Sequence, residues 1–542
     1  MNKKLISFSV SLFCIAGASA QNITGTITTA DGLPLANVPV SDGVTITLTD
    51  KNGEYALQSD KKYGYVFYTL PAGYEPEKES NGWQPKIYAL LNSRNPVFKE
   101  NHDFKVTPVK NDRFLYVVGA DAHLTNEHND LAQFKRDYLP RLRKLIADNP
   151  GVPVYSTILG DMSWDEFWIK PDSTTFTIAD FSDFITREKY PMLMFPVTGN
   201  HDNDAYAKGE DMDMAASEAY RSFMSPSFYS YNLGGVHFVV LDDIVYINDN
   251  GKRNYKNYYT DDQLAWLEKD LALVKDKNTP VVIQAHACNF RPTAELNPVV
   301  EDKLVNESCE RLGQLLKEFP TVHLLTGHTH LNFHAHPPRF PNIHENNVSA
   351  VGATWWRSGY YTDRNIAVDG SPSGFALYEF TPDSISWRFL STDLGHSEDE
   401  NQFRLYDMNM VKKEYKENKL IRNLLKAVPH RVDYAKIDNN VIYLNVYNHD
   451  RDWKIEMWEG DKPLKVKQVF DEDPLHTITY DIHRHASGEY LSTNSSTRPQ
   501  CTHLFKAKTS SAGKPIRVKV TDSFGRVYEK TYQRPHPFNL AN

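Results

Sequence analysis

Between Asp121 and His330 the chain carries five short segments rich in side chains that bind metals: Asp121-Ala-His123, Gly160-Asp161, Gly199-Asn200-His201-Asp202, His286, and Gly327-His328-Thr329-His330. Imidazole, carboxylate and amide oxygen together suit Zn, Mn or Fe. In Asp-x-His and His-x-His, residues two apart in an extended segment face the same side, so both can meet one ion or two adjacent ions. A glycine beside such a residue lets the chain turn sharply and approach closely. Two ions about 3.5–4 Å apart can hold the attacking and leaving oxygens of an in-line displacement at phosphorus, and they bring the pKa of a coordinated water down to about 7. No Ser or Cys nucleophile is then required.

Each motif alone is a weak signal, because His-x-His is more often surface or core. His483 with His485, and His334 with His336, read that way. His237 and His323 fall inside apolar runs and read as buried, hydrogen-bonded core histidines. The five segments differ because each follows a short apolar strand: Phe114–Val118, Val152–Leu159, Met192–Val197, Val281–Ala285 and Val322–Leu325. Ligands of α/β sheets bind beyond the carboxyl ends of strands, where loops converge.

The elements that must position these loops run from Phe114 to about Leu390. Apolar strands alternate there with amphipathic helices, which implies an α/β layered domain. Leu131, Phe134, Tyr138, Leu142 and Ile146 share one helical face, and Pro140 should kink or divide that helix. Leu264, Leu267, Leu271 and Val274 mark another helix. Residues 22–107 read as all-β, with turns at Asp31-Gly32, Asp42-Gly43 and Asn52-Gly53. Asp50 and Asn52 could bind calcium, although a hairpin turn explains them as well. After about residue 412 the pattern returns to β, following a helical linker near Lys412–Ala427. The expected division is 1–20 leader, 21–108 N-terminal β-sandwich, 109–411 catalytic domain, and 412–542 linker helix with a C-terminal β-sandwich.

A length of 542 residues is too long for one core, and a net charge of −9 without a long basic run argues against nucleic acid as the main partner. Lys3 and Lys4, a short apolar stretch from Leu5 to Ala16, and Ala18-Ser19-Ala20 form the pattern of an export signal cleaved after Ala20. The expected location is therefore periplasmic or extracellular, with no membrane span. Cys288, Cys309 and Cys501 remain, an odd number. Cys309 repeats with Val305, Leu312 and Leu316 at helical spacing, which favours a buried thiol over a Cys288–Cys309 disulfide.

The five motifs together resemble those of the calcineurin-like metallophosphoesterases. The resemblance extends through Tyr229-Ser-Tyr-Asn-Leu-Gly-Gly-Val-His-Phe-Val-Val-Leu-Asp242 and Gln263-Leu-Ala-Trp-Leu-Glu-Lys-Asp-Leu271 and covers about residues 112–395. The flanking β regions, the first prealbumin-like, resemble those of a secreted three-domain bacterial form. The resemblance implies a four-layer α/β core, two mixed sheets flanked by helices, between two all-β sandwich domains. It also implies Asp121, His123 and His330 on one ion, Asn200, His286 and His328 on the other, and Asp161 bridging both. His201 would act on the phosphate, with Asp202 as its neighbour in the catalytic pair. Arg291, Arg357 and Trp356 are candidates for substrate contact. Trp164 departs from relatives with Asp or Tyr three residues after the bridging Asp; Tyr there would be a metal ligand of the purple acid phosphatase type. Asp165 could replace the missing carboxylate. The implied reaction is metal-dependent hydrolysis of a small or exposed phosphoester. It leans to diesters, with a phosphomonoesterase as the alternative. An inactive binding protein would have lost ligands, and every expected ligand is present.

Overall fold

The computed structural model describes residues 21–126, 129–164, 176–248, 254–292, 302–357, 364–392, 402–430, 432–488 and 501–539. The expected leader and Asp165 lie outside the described residues.

The apolar runs of the central region build two mixed sheets. Phe114–Gly119 is buried at every position, as a strand covered on both faces must be. It pairs in parallel with Val154–Ile158, Leu115 opposite Val154, and antiparallel with Gly374–Thr381, Phe114 opposite Phe380. Leu193–Met194 and Ser384–Ser391 complete a five-stranded sheet at its two edges. The second sheet has six strands, in the order Tyr229–Leu233, Val236–Val240, Val281–Gln284, Val322–Thr326, Ile343–Asn347 and Phe333–Ala335. Its four inner strands run parallel, and both outer strands pair antiparallel.

Aromatic side chains fill the space between the sheets. Phe195 stacks on Tyr231 with ring centroids 4.0 Å apart, and Phe114 on Phe380 at 4.7 Å. Each such side chain contributes about 1.5–3 kcal/mol by leaving water. Tyr116 and Tyr231 bring hydroxyls into this core and satisfy them on each other at 2.7 Å, with Gln284 at 3.1 Å from Tyr116. Helices cover the outer faces. Phe134, Tyr138, Leu142, Ile178 and Phe181 pack on the first sheet, and Leu264, Leu267, Leu312 and Leu316 on the second. The helix containing Pro140 is divided as expected: a π turn at Phe134–Tyr138 separates Asp130–Gln133 from Leu139–Asp148, and Pro140 falls in the first turn of the latter.

The N-terminal region is a sandwich of five- and four-stranded sheets. Asp50 caps a turn, accepting the N–H of Asn52 at 2.8 Å and of Glu54 at 2.9 Å. The sandwich docks on the second catalytic sheet, where Asn232 N donates to Leu70 O at 2.9 Å. The C-terminal sandwich has two four-stranded sheets. It begins earlier than the sequence suggested, because Phe403–Asp407 pairs with Val441–Val446. Nor is it all-β: Met408–Glu417 and Lys419–Ala427 are helices, as is most of Pro474–Ser487. Those stretches carry apolar residues at helical spacing, with Val411, Tyr415 and Ile421 buried against Tyr434 and Leu475. Cys288, Cys309 and Cys501 are free and buried.

Candidate metal centre

All five motifs meet at the carboxyl ends of the strands they follow. Asp121, His123, Asp161, His328 and His330 adopt left-handed backbone conformations, with φ of 52°, 43°, 53°, 66° and 56°. Such residues are uncommon and gather where the surrounding fold fixes a site. Glycines make the close approach feasible. A Cβ on Gly199 would lie 2.4 Å from Asp161 Oδ1, and one on Gly327 would lie 2.6 Å from Asp121 Oδ2.

The side chains form two sets that share one oxygen. In the first, His123 Nε2 and His330 Nε2 are 3.1 Å apart, and Asp121 Oδ1 lies 3.3 Å from His330 Nε2. In the second, His286 Nε2 lies 3.0 Å from both Asn200 Oδ1 and His328 Nδ1. Asp161 Oδ2 stands between them, 3.3 Å from His286 Nε2 and 3.6 Å from His123 Nε2. His286 donates its Nδ1–H to Leu159 O at 2.7 Å, so the lone pair of Nε2 points into the set. Asp121 Oδ1 is buried without a hydrogen-bond partner. Convergent imidazole lone pairs beside an unsatisfied carboxylate oxygen fit cations at both positions.

The electrostatics point the same way. Burial opposes a charge on Asp161, but His286, His201 and His123 outweigh it and hold the carboxyl well below its ordinary range. Burial likewise opposes protonation of His286, yet Asp161 pushes it up to about 10. A field that draws a proton so strongly also draws a cation. Burial alone drives His123 well below its usual value, into the neutral form that ligates.

His201 is half-exposed on the open side of this cluster. Its ring centroid is 4.8 Å from that of His123, and its backbone N–H donates to Asp161 Oδ1 at 2.7 Å. Asp202 serves a different purpose from the one expected. It is fully buried; Oδ1 accepts the N–H groups of Met162 at 2.7 Å and Ser163 at 3.1 Å, and Oδ2 accepts that of Gly199 at 3.0 Å. It ties the Asp161 loop to the Asn200 loop. Burial, reinforced by the charge of Asp161, pushes it up to about 8.

Trp356 is also placed away from the rim. It is 1% exposed and donates its indole N–H to Ala122 O at 2.7 Å. The segment is a turn, with φ of 49° at Trp355 and 57° at Trp356, so the alternation of a strand does not apply. Trp355 faces the site instead, 5.1 Å from His330 and 6.1 Å from Trp164, nearly parallel to the latter. Trp164 in turn lies 5.9 Å from His123. Arg291 is exposed and donates Nε–H to Cys288 Sγ at 3.3 Å. Arg357 is half-buried, and its charge acts on Asp130.

Asp243 was not anticipated. Its buried carboxylate accepts the N–H of His286 at 3.1 Å and of Ala287 at 2.8 Å, fixing the ligand loop. It stands just past the strand Val236–Val240, the same kind of position that marked the five motifs.

Three family models match successive parts of the chain: the N terminal of calcineurin-like phosphoesterase at residues 21–109, calcineurin-like phosphoesterase itself at 115–332, and its C terminal at 345–528. Among curated proteins, purple acid phosphatase 23 of Arabidopsis thaliana is 25% identical over 241 residues, 41% of this chain and 47% of that protein. Purple acid phosphatase 15 of the same plant is 24% identical over 186 residues, 33% of this chain and 29% of that protein. The chain thus spans less than half the length of these relatives. A solved purple acid phosphatase from yellow lupin (Lupinus luteus) seeds aligns with a TM-score of 0.34 at 12% identity, covering 66% of this chain and 72% of that one.

Proposed function

This chain belongs to the calcineurin-like phosphoesterase family, and from that premise we propose that it hydrolyses phosphoric esters at a dinuclear centre bridged by Asp161. The observation that carries this reading is the position of Asp161 Oδ2 between His286 and His123, one carboxylate oxygen shared by two sets of donors. Asp121, His123 and His330 would hold one ion, and Asn200, His286 and His328 the other. Bound there, Zn, Mn or Fe would supply Lewis acidity towards a phosphoryl oxygen and a water acidic enough to attack near neutral pH.

The chain's own groups do the rest. His201 occupies the half-exposed side, where its imidazole can hydrogen-bond a phosphate oxygen or give a proton to the leaving oxygen. Trp164 and Trp355 form a wall on the same side, against which the organic part of an ester would rest. Arg291 and Arg357 are proposed as further phosphate contacts, through bidentate hydrogen bonds. Asp202 and Asp243 keep the ligand loops in register.

We read the substrate as a small or exposed phosphodiester. A phosphomonoester is the second reading, favoured by the purple acid phosphatase names of the matched relatives. The chain is proposed to act outside the cytoplasm after cleavage at Ala20, and no helix among the described residues is long and apolar enough to cross a membrane. The test is turnover of the purified mature chain, stripped by chelator and reloaded with Mn, Zn or Fe, on nitrophenyl phosphate and bis-nitrophenyl phosphate. Metal-dependent hydrolysis, faster on the diester, is expected. A chain that binds two ions and cleaves neither ester is a binding protein.

A further inference from the structure

A second cluster of imidazoles lies where the C-terminal sandwich meets the catalytic sheet. His334 on Phe333–Ala335 and His344 on Ile343–Asn347 come from paired strands. Asp450 reaches them from the loop after Val441–Val446 of the C-terminal sandwich. All three are buried, at 7%, 8% and 3% exposure. From this arrangement we propose a structural Zn²⁺ site formed by His334, His344 and Asp450, pinning the C-terminal sandwich to the catalytic domain.

The spacing supports it. His334 Nδ1 and His344 Nε2 are 2.9 Å apart, and Asp450 Oδ2 lies 3.7 Å from His344 Nε2. The donor pairs of the catalytic centre show the same values: 3.0 and 3.1 Å between imidazole nitrogens, 3.3 to 3.6 Å from imidazole to carboxylate. At Zn–N bonds of about 2.0–2.1 Å, two imidazoles on one tetrahedral ion bring their nitrogens to about this separation.

The surrounding contacts leave the donor atoms oriented inward. His334 turns its other nitrogen, Nε2, to Asn448 Oδ1 at 3.1 Å, so that nitrogen carries the proton and Nδ1 is bare. His344 Nδ1 faces His323 Nδ1 at 3.3 Å, leaving Nε2 for the site. His336 Nε2 binds Asp450 Oδ1 at 2.6 Å, which orients the carboxylate and leaves Oδ2 for the site. Two imidazoles and a carboxylate match the borderline character of Zn²⁺ and leave a fourth position for water.

The alternative occupant is a proton: an ordered chain from His323 through His344 and His334 to Asn448 would satisfy the same nitrogens without a metal. Metal content separates the two. Wild type and the His344→Ala and Asp450→Asn variants are loaded with Zn²⁺, desalted and analysed by mass spectrometry for zinc per chain. Each variant should hold one ion fewer than wild type while turnover per chain stays within about twofold, since these residues stand outside the catalytic centre. If a variant fails to fold, anomalous diffraction from the wild-type chain at the zinc edge decides, with a peak expected between His334 Nδ1 and His344 Nε2. Equal zinc in wild type and variants, or no anomalous peak there, overturns the proposal and leaves the proton-ordered chain. The result is independent of whether the catalytic centre hydrolyses any ester, because both readouts count ions and not turnover.

Discussion

Asp161 accepts the backbone N–H of His201 through Oδ1 at 2.7 Å, which leaves Oδ2 directed at His286 and His123. One carboxylate thus fixes the loop of the proposed acid and faces both donor sets. Asp161→Asn keeps an acceptor for His201 but removes the charge between the sets. Affinity for both ions should fall by more than the 10–100-fold typical of changing a ligand's supporting partner, and most activity should go with it. Titration with a metal indicator gives the two affinities. Weakening of only one ion would mean that Asp161 does not bridge.

Asp202 makes a different prediction, because its work is structural. Asp202→Ala leaves the N–H groups of Met162, Ser163 and Gly199 without their acceptor. Unsatisfied buried donors cost about 1–3 kcal/mol each, so stability should drop by several kcal/mol if the loops do not rearrange. Activity should fall by the same factor for substrates with good and poor leaving groups. A loss confined to poor leaving groups, with unchanged melting temperature, would instead give Asp202 a part in proton transfer.

His449 gives the fold a dependence on pH away from the catalytic centre. It packs on Phe505 with ring centroids 4.8 Å apart, and burial lowers it from 6.5 to about 3. Between those values the unfolded chain takes up a proton that the folded chain refuses. The stabilisation is therefore complete above pH 6.5 and is lost as pH falls. At pH 4.5 the loss is about 2–3 kcal/mol. With chelator present, His449→Phe should show a smaller drop in melting temperature between pH 7 and 4.5 than wild type. Equal drops would show that the ring becomes protonated without unfolding.

The centre was legible because its ligands follow apolar strands in short motifs, a pattern set by the chain's local geometry. The two-sheet core was legible only through the family resemblance, since strand order depends on pairings such as Leu115 with Val154, distant in sequence. What local pattern could not supply was the direction of side chains in irregular turns. Trp355 and Trp356 read as a strand with alternating faces, but positive φ at both turns one to the ligands and the other to the core. Asp202 read as a partner of His201 because it is adjacent, whereas its oxygens are claimed by backbone groups about forty residues earlier in the chain. His334 and His336 read as ordinary core or surface histidines, and their convergence with Asp450 depends on a contact between domains.

His201 poses the sharpest test of the mechanism, because geometry alone permits two roles. It lies within ligand range of His123 and Asp161, yet seven other residues already supply both ions. If it acts on the phosphate, His201→Ala retains both metals while turnover falls by about 10²–10⁴, the usual contribution of a proton-transferring group. A general acid matters most when the departing oxygen is basic. The loss should then be smaller for a nitrophenyl ester than for an alkyl ester of the same phosphate. Equal losses on both would assign His201 to electrostatic stabilisation of the transition state, which does not depend on the leaving group's basicity. Metal content measured on the same sample closes the argument: a variant that has lost an ion makes His201 a ligand and excludes both roles.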